Sequence, residues 1–166
     1  PPRSTLDRSS AASDVYKRQV WNNGMWWFDP VPGRLNSVEP NRYGLNNMTP
    51  AIVFTSDGRA LALGASGGRR ITNCVAQLVG SVVDHGLGAQ EAVATPRVDA
   101  STPWVTVDSR FGNDAIAALQ QLGWDMRVAQ HPGRSAFASP VLILRDSDGG
   151  LGGGVDVFHS AAAQGL

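Results

Sequence analysis

Cysteine is nearly absent. The 166-residue chain has one, Cys74, so no internal disulfide can form, and its place inside a long helical pattern marks it as a buried structural thiol. Charge of one sign is also missing. Lys+Arg and Asp+Glu are equal at 14 each, and basic residues cluster only at Lys17-Arg18 and Arg69-Arg70. That removes the electrostatic case for nucleic acid or an anionic membrane as partner. No apolar run approaches membrane-spanning length. His85, His131 and His159 have no metal-ligand spacing and read as surface or capping histidines. Asp146-Ser147-Asp148-Gly149-Gly150 lacks the sixth-position glycine, where Leu151 stands, and the closing Glu of a calcium loop, so it reads as a turn. Gly64 to Gly68 is no P-loop, because the Lys-Ser/Thr pair is missing, and its spacing misses the dinucleotide fingerprint. Neither a cofactor nor a metal is expected.

The leader, residues 1–19 (PPRSTLDRSSAASDVYKRQ), has no apolar period and no expected strand. It reads as a disordered polar segment and resembles a translated sequencing adapter joined to a truncated reading frame. Without an apolar h-region it is not a secretory signal. The globular part is expected over residues 20–166, one domain or a piece of one.

What is present is a strand, turn, strand and helix in close succession. Residues 51–55 and 60–64 read as strands around a Ser56-Asp57-Gly58-Arg59 turn. Both are almost continuously apolar, which predicts burial on both faces. Residues 69–85 read as a helix with Ile71, Val75, Leu78, Val79, Val82 and Val83 on one stripe, stopped by Gly86. Further on, the pattern predicts a short helix over 89–94, a strand over 104–107 and a helix over 114–122 with Ile116, Leu119 and Leu122 inward. Strands over 124–129 and 140–145 and a glycine-rich turn over 146–154 complete it. Strands packed together with helices laid on them predict a layered α+β fold.

Between the second strand and the long helix stands Gly64-Ala65-Ser66-Gly67-Gly68. A glycine pair at a strand-to-helix junction turns backbone N–H groups outward, where they can hold negative charge. In an amide hydrolase such donors stabilise an oxyanion. The plainer use of the same pair is a tight turn that needs φ > 0.

Three blocks then appear in order: NNGMWWFDPVPGRLNSVEPNRYGLNNMTPAIV (Asn22 to Val53), GASGGRRI (Gly64 to Ile71) and DHGLGAQEAVATPRV (Asp84 to Val98). From about Trp21 onward the chain resembles the C-terminal part of the small subunit of gamma-glutamyltransferases, also called gamma-glutamyltranspeptidases or glutathione hydrolases. The resemblance implies an incomplete part of the four-layer αββα sandwich of N-terminal nucleophile hydrolases. It implies that the Gly67 and Gly68 amides form the oxyanion hole, although the family's Ser-Pro lead-in is Ala65-Ser66 here. It places Asn46 and Asn47 where two family serines bind the substrate α-carboxylate; amide N–H groups also donate to a carboxylate. It places Gly24 and Trp27 where a Gln/Glu and an Asp hold the α-ammonium of a glutamyl group. An indole attracts a cation only weakly, by about 0.5–2 kcal/mol, so the clamp is lost. Met25, Trp26, Trp27 and Phe28 are either core or pocket lining.

The family's nucleophile is an N-terminal Thr released by self-cleavage, opening a Thr-Thr-His-like motif ahead of the Asn-Asn block. No such motif stands here, and Thr5 in the leader is followed by Leu6-Asp7. The expected function is therefore that of a fragment, inactive alone, of an amide-cleaving hydrolase. Its expected partners are the large subunit, the upstream half of the small subunit and a small-molecule amide. The resemblance implies a gamma-glutamyl or related carboxylate-bearing acyl amide as substrate; loss of the ammonium clamp with retained carboxylate donors gives a glutaryl or oxamate-type acyl group as the alternative. The alternative from another class is a non-enzymatic anion-binding module built on Gly64 to Gly68, with Arg69 and Arg70 facing the loop.

Overall fold

A computed structural model describes residues 12–14, 19–21, 24–130, 136–158 and 162–164. The chain divides into two compact units, residues 1–46 and 47–166.

In the first unit β1 (Ala12–Asp14) pairs antiparallel with β2 (Gln19–Trp21), Ala12 opposite Trp21. The expectation of a strandless leader through residue 19 is corrected here: backbone pairing across a short connection forms the ladder without an apolar period to announce it. A 3-10 turn over Gly24–Trp27 follows. Residues 29–38 then fold back on themselves. The Asp29 N–H donates to the Asn36 carbonyl at 2.8 Å, and the buried Ser37 hydroxyl donates to the Val31 carbonyl at 2.6 Å. The Asp29 carboxylate accepts the Val31 N–H at 2.9 Å and Arg34 at 3.2 Å; the Val31 bond first, and Arg34 after it, hold its pKa below the usual carboxylate value.

The second unit is a helix layer on a sheet. Its main sheet runs β3 (Ala51–Phe54), β4 (Ala60–Ser66), β8 (Ser139–Arg145), β9 (Leu151–Val155), all antiparallel. The β3–β4 hairpin closes on the expected turn. Gly58 has φ 87°, and the Thr55 hydroxyl and then the Arg59 backbone and side chain hold Asp57 at a pKa of about 2. Leu61, Leu63, Leu142 and Leu144 point to one side and meet Ile71, Cys74, Val75, Leu78 and Val82 of α1 (Ile71–Val83) and Ala89, Ala92 and Val93 of α2 (Ala89–Ala94). Each fully buried aliphatic side chain there contributes roughly 1.5–3 kcal/mol of transfer free energy.

Burial on both faces does not hold for β3 and β4. Their side chains alternate, and the register sets Ile52, Ala62 and Ile143 in one row and Phe54 in the next, on the side away from the helices. Ile52 is 70% and Phe54 79% exposed. Apolar content predicted two-sided burial, but among the described residues of this unit the helices cover one face and leave Ile52 and Phe54 exposed on the other.

A second sheet orders β5 (Val98–Asp99), β6 (Val105–Asp108) and β7 (Met126–Ala129), with β6 and β7 parallel and joined through α3 (Asn113–Gln120). The strand β5 is too short to show a period. Further boundaries move. The long helix is a 3-10 turn over Gly68–Arg70 before α1 starts at Ile71. Gly86, at φ 68°, closes α1 as expected, and its N–H reaches the Val82 carbonyl at 3.2 Å. Val83, at the helix end, faces solvent, and Leu122 falls beyond the last turn of α3 and is exposed. The glycine-rich turn ends at residue 150, and Leu151–Val155 is strand β9. Gly154 serves packing, since a Cβ there would lie 2.3 Å from the Ala89 carbonyl oxygen of α2. The Gln90 side chain fixes that contact, exchanging two 3.1 Å hydrogen bonds with the Val155 backbone.

Candidate functional site

The glycine pair sits where the ladder of β4 ends. The last pair, Ser66 opposite Ser139, carries the strand to the edge of the loop. Gly67 then takes φ 148°, ψ 20° and Gly68 takes φ 65°. Two successive positive φ values, in a region that side chains disfavour, swing the chain out of the sheet and into the 3-10 turn that starts α1. The Gly68 carbonyl accepts the Ile71 N–H. Neither the Gly67 nor the Gly68 N–H meets an acceptor among the described residues, and Gly67 is exposed. Two acceptor-free main-chain donors at a strand-to-helix turn are an arrangement that can hold an anionic oxygen.

Asn47 belongs to the same unit. Its carbonyl accepts the Thr49 hydroxyl at 3.0 Å, and Thr49 Oγ1 lies 3.3 Å from Thr72 Oγ1 in the first turn of α1. This links the Asn47 segment to the helix that Gly68 initiates. Asn47 Nδ2 is buried and has no hydrogen-bond acceptor among the described residues. Neither threonine was singled out from sequence; hydroxyls that meet across elements leave no spacing signal.

Gly24, Trp27 and Asn46 lie in the first unit. Gly24 opens the 3-10 turn and is exposed. Trp27 is half-buried and its carbonyl accepts the Asn36 side-chain amide. Asn46 is exposed. Of the aromatic block, Met25 and Trp26 are exposed rather than packed as core, while a Cβ at Gly44 would meet the Phe28 ring at 2.9 Å. His131, His159 and Thr5 lie outside the described residues, and His85 is exposed beyond the end of α1. A cleft of about 680 Å³ lined by Gln77, Ser81, His85, Arg97, Arg110 and Phe111, among others, includes none of the sequence-predicted site residues. No group of three or more His, Cys, Asp or Glu among the described residues could hold a metal ion.

Burial, aided by Asp156 and Asp99 and opposed by Arg97, pushes the Cys74 thiol up to about 11. It is a packed, inert group, as the sequence suggests.

The model of the family described as gamma-glutamyltranspeptidase matches residues 13–166. The chain belongs to the gamma-glutamyltranspeptidase family. It is 38% identical over 79 residues to the glutathione hydrolase proenzyme of Bacillus subtilis subsp. natto, covering 48% of this chain and 14% of that protein. It is 39% identical over 79 residues to the acylase ACY 1 proenzyme of Pseudomonas sp. (strain SE83), again covering 48% of this chain and 14% of that protein. In backbone it is similar to a mutant gamma-glutamyltranspeptidase of Helicobacter pylori, with a TM-score of 0.75, 23% identity and coverage of 95% of this chain and 92% of that one. The α+β fold expected of the family is borne out. The chain spans 14% of the length of the two curated relatives named here.

Proposed function

We propose that this chain is the C-terminal part of the small subunit of an amide-cleaving N-terminal nucleophile hydrolase. Upstream sequence supplies a Thr whose hydroxyl attacks the carbonyl carbon and whose amine takes up the proton. The observation that carries the reading is the pair of acceptor-free amides on Gly67 and Gly68. When the carbonyl becomes tetrahedral its oxygen gains charge, and fixed donors stabilise that charge more than the ground state. On this reading the chain contributes half of the chemistry and is inactive without its nucleophile.

The exposed sheet face supports the partner half of the proposal. Ile52, Phe54, Val141 and Ile143 form an apolar surface on the side away from α1 and α2. Such a face on a layered fold calls for a second layer, which we assign to the upstream half of the same precursor.

The acyl group we infer bears a carboxylate and no α-amine. Gly24 and Trp27 stand where the resembled family has its ammonium clamp, while Asn46 and Asn47 keep amide donors for a carboxylate. The buried Asn47 Nδ2 without an acceptor among the described residues favours this reading, as does an acylase among the relatives.

The test joins residues 21–166 to the upstream half of a family relative and follows self-cleavage and turnover of glutaryl-anilide against γ-glutamyl-anilide. Self-cleavage with preference for the glutaryl compound is expected. No processing and no amidase activity overturns the class; preference for γ-glutamyl-anilide overturns the acyl assignment alone.

A further inference from the structure

Gly67 is held from behind. The atoms nearest to its missing side chain are the Cα and Cβ of Ala138, at 2.7 and 2.8 Å from an ideal Cβ, and Ala138 is itself buried. The Ala138 carbonyl accepts Arg97 Nη2 at 3.4 Å. Arg97, only 3% exposed, is anchored through Nη1 to the Val93 carbonyl of α2 at 2.7 Å. Its Nη2 lies 3.8 Å from Oδ1 of Asp156, also 3% exposed. Asp156 in turn donates its backbone N–H to the Pro140 carbonyl at 3.2 Å. Of the carbonyls on either side of Ser139, that of Ala138 is thus held by the Arg97 side chain, which Asp156 pairs, and that of Pro140 by the Asp156 main chain; Ser139 is the residue opposite Ser66, directly before Gly67.

Stability does not account for this pair. Desolvating two charges costs several kcal/mol per ion, and well-packed apolar residues of similar volume often stabilise as much or more. Arg97 Nε adds to that cost, being buried with no acceptor among the described residues. What an apolar residue at position 97 lacks is a donor aimed at the Ala138 carbonyl.

We propose that Arg97 and Asp156 are positioning residues for the Gly67-Gly68 loop. They touch no substrate. They lock residues 138–140, and the contact of Ala138 with Gly67 fixes the backbone path that presents the two amides. The catalytic consequence rests on the oxyanion reading above; the structural consequence does not. Displacing a donor by a fraction of an ångström weakens a transition state that depends on it while leaving ground-state binding nearly unchanged.

The experiment uses the joined proenzyme described above. The double variant R97M/D156L removes both charges without leaving one orphaned, and Arg97→Lys keeps charge while losing the planar fork. Two readouts are taken: amide exchange across residues 136–141 (Pro140, without an N–H, excepted) and of Asp156 relative to the middle of α1, and kcat and KM per titrated active site. Both variants are expected to accelerate exchange at 136–141 at least tenfold with α1 unchanged, and to lower kcat per site about tenfold or more with KM within twofold. Unchanged exchange at 136–141 in the variant that folds overturns the proposal. So does faster exchange with full kcat per site when Gly67→Ala is inactive. If Gly67→Ala keeps its kcat, the oxyanion reading fails, and faster exchange at 136–141 still upholds the structural lock.

Discussion

Ala138 occupies the space that any side chain on Gly67 would need. A Cβ at position 67 would sit 2.7 Å from the Ala138 Cα and 2.8 Å from its Cβ, at a φ of 148° that L-residues rarely adopt. Gly67→Ala therefore meets backbone strain of about 1–3 kcal/mol together with a clash against main chain. In the joined enzyme it is expected to lower kcat on the order of a hundredfold, the typical cost of one oxyanion donor. Ala138→Gly in the same molecule should not restore it, because the Cα is as close as the Cβ. Steady-state kinetics on the single and double variants decide this; recovery in the double variant would move the constraint from backbone to methyl group.

The glycines of β9 differ in what surrounds them, and substitution should separate them. A Cβ at Gly154 meets the Ala89 carbonyl oxygen at 2.3 Å and its carbon at 2.6 Å, whereas one at Gly152 finds Ala89 Cβ at 3.7 Å, ordinary contact. Gly154→Ala must push α2 off the sheet and is expected to cost about 1–3 kcal/mol. Gly152→Ala should stay within about 1 kcal/mol of the parent, since alanine suits a strand interior better than glycine does. Urea unfolding midpoints of the two variants give the comparison, and equal losses would sink the packing argument.

Those same glycines show where sequence reading stopped. Periodicity located α1 through Ile71, Val75, Leu78 and Val82, because a helix buried on one stripe writes its own pattern. It located α2 to the residue, because Pro96 bars the helix from running on. It missed β9 because Gly152, Gly153 and Gly154 have no side chains to alternate; the requirement at Gly154 is set by α2, which is more than fifty residues earlier in the chain. It placed the Gly67-Gly68 loop correctly at a strand-to-helix junction but gave no hint of Ala138, Arg97 or Asp156. Contacts of that sequence separation depend on the β4–β8 register, which only the folded sheet defines. Two-sided burial of β3 and β4 was read from apolar content, and content is the same whether a second layer lies in this chain or elsewhere.

The open sheet face predicts self-association. Ile52, Phe54 and Ile143 are 70%, 79% and 57% exposed in the second unit, and side chains of that size seek cover from water. Replacing all three by Ser should leave helix content unchanged by circular dichroism. It should lower binding of an apolar dye and shift the chain toward the monomer in sedimentation velocity. In the joined proenzyme the same replacements should impair self-cleavage, because the second layer loses its seat. A parent chain that is already monomeric and dye-negative would remove the basis for assigning a partner to this face.

Cys74 supplies a pH test of the core. The ordinary thiol value of 9.0 is raised to about 11 in the folded chain, chiefly by burial, and the side chain is 4% exposed. Below pH 9 the thiol is neutral in both states and its contribution is intact. Between pH 9 and 11 the unfolded chain releases the proton while the folded chain keeps it, so stability falls as pH rises, by on the order of 2 kcal/mol across the window. Arg, Lys and Tyr titrations are shared with Cys74→Ala, so the difference between the two stability profiles isolates the thiol. The parent should lose its advantage over the alanine variant as pH climbs from 8 to 10.5 in urea unfolding, and iodoacetamide should label the folded thiol far more slowly than the unfolded one. Parallel profiles with rapid labelling would mean that α1 does not seal this position.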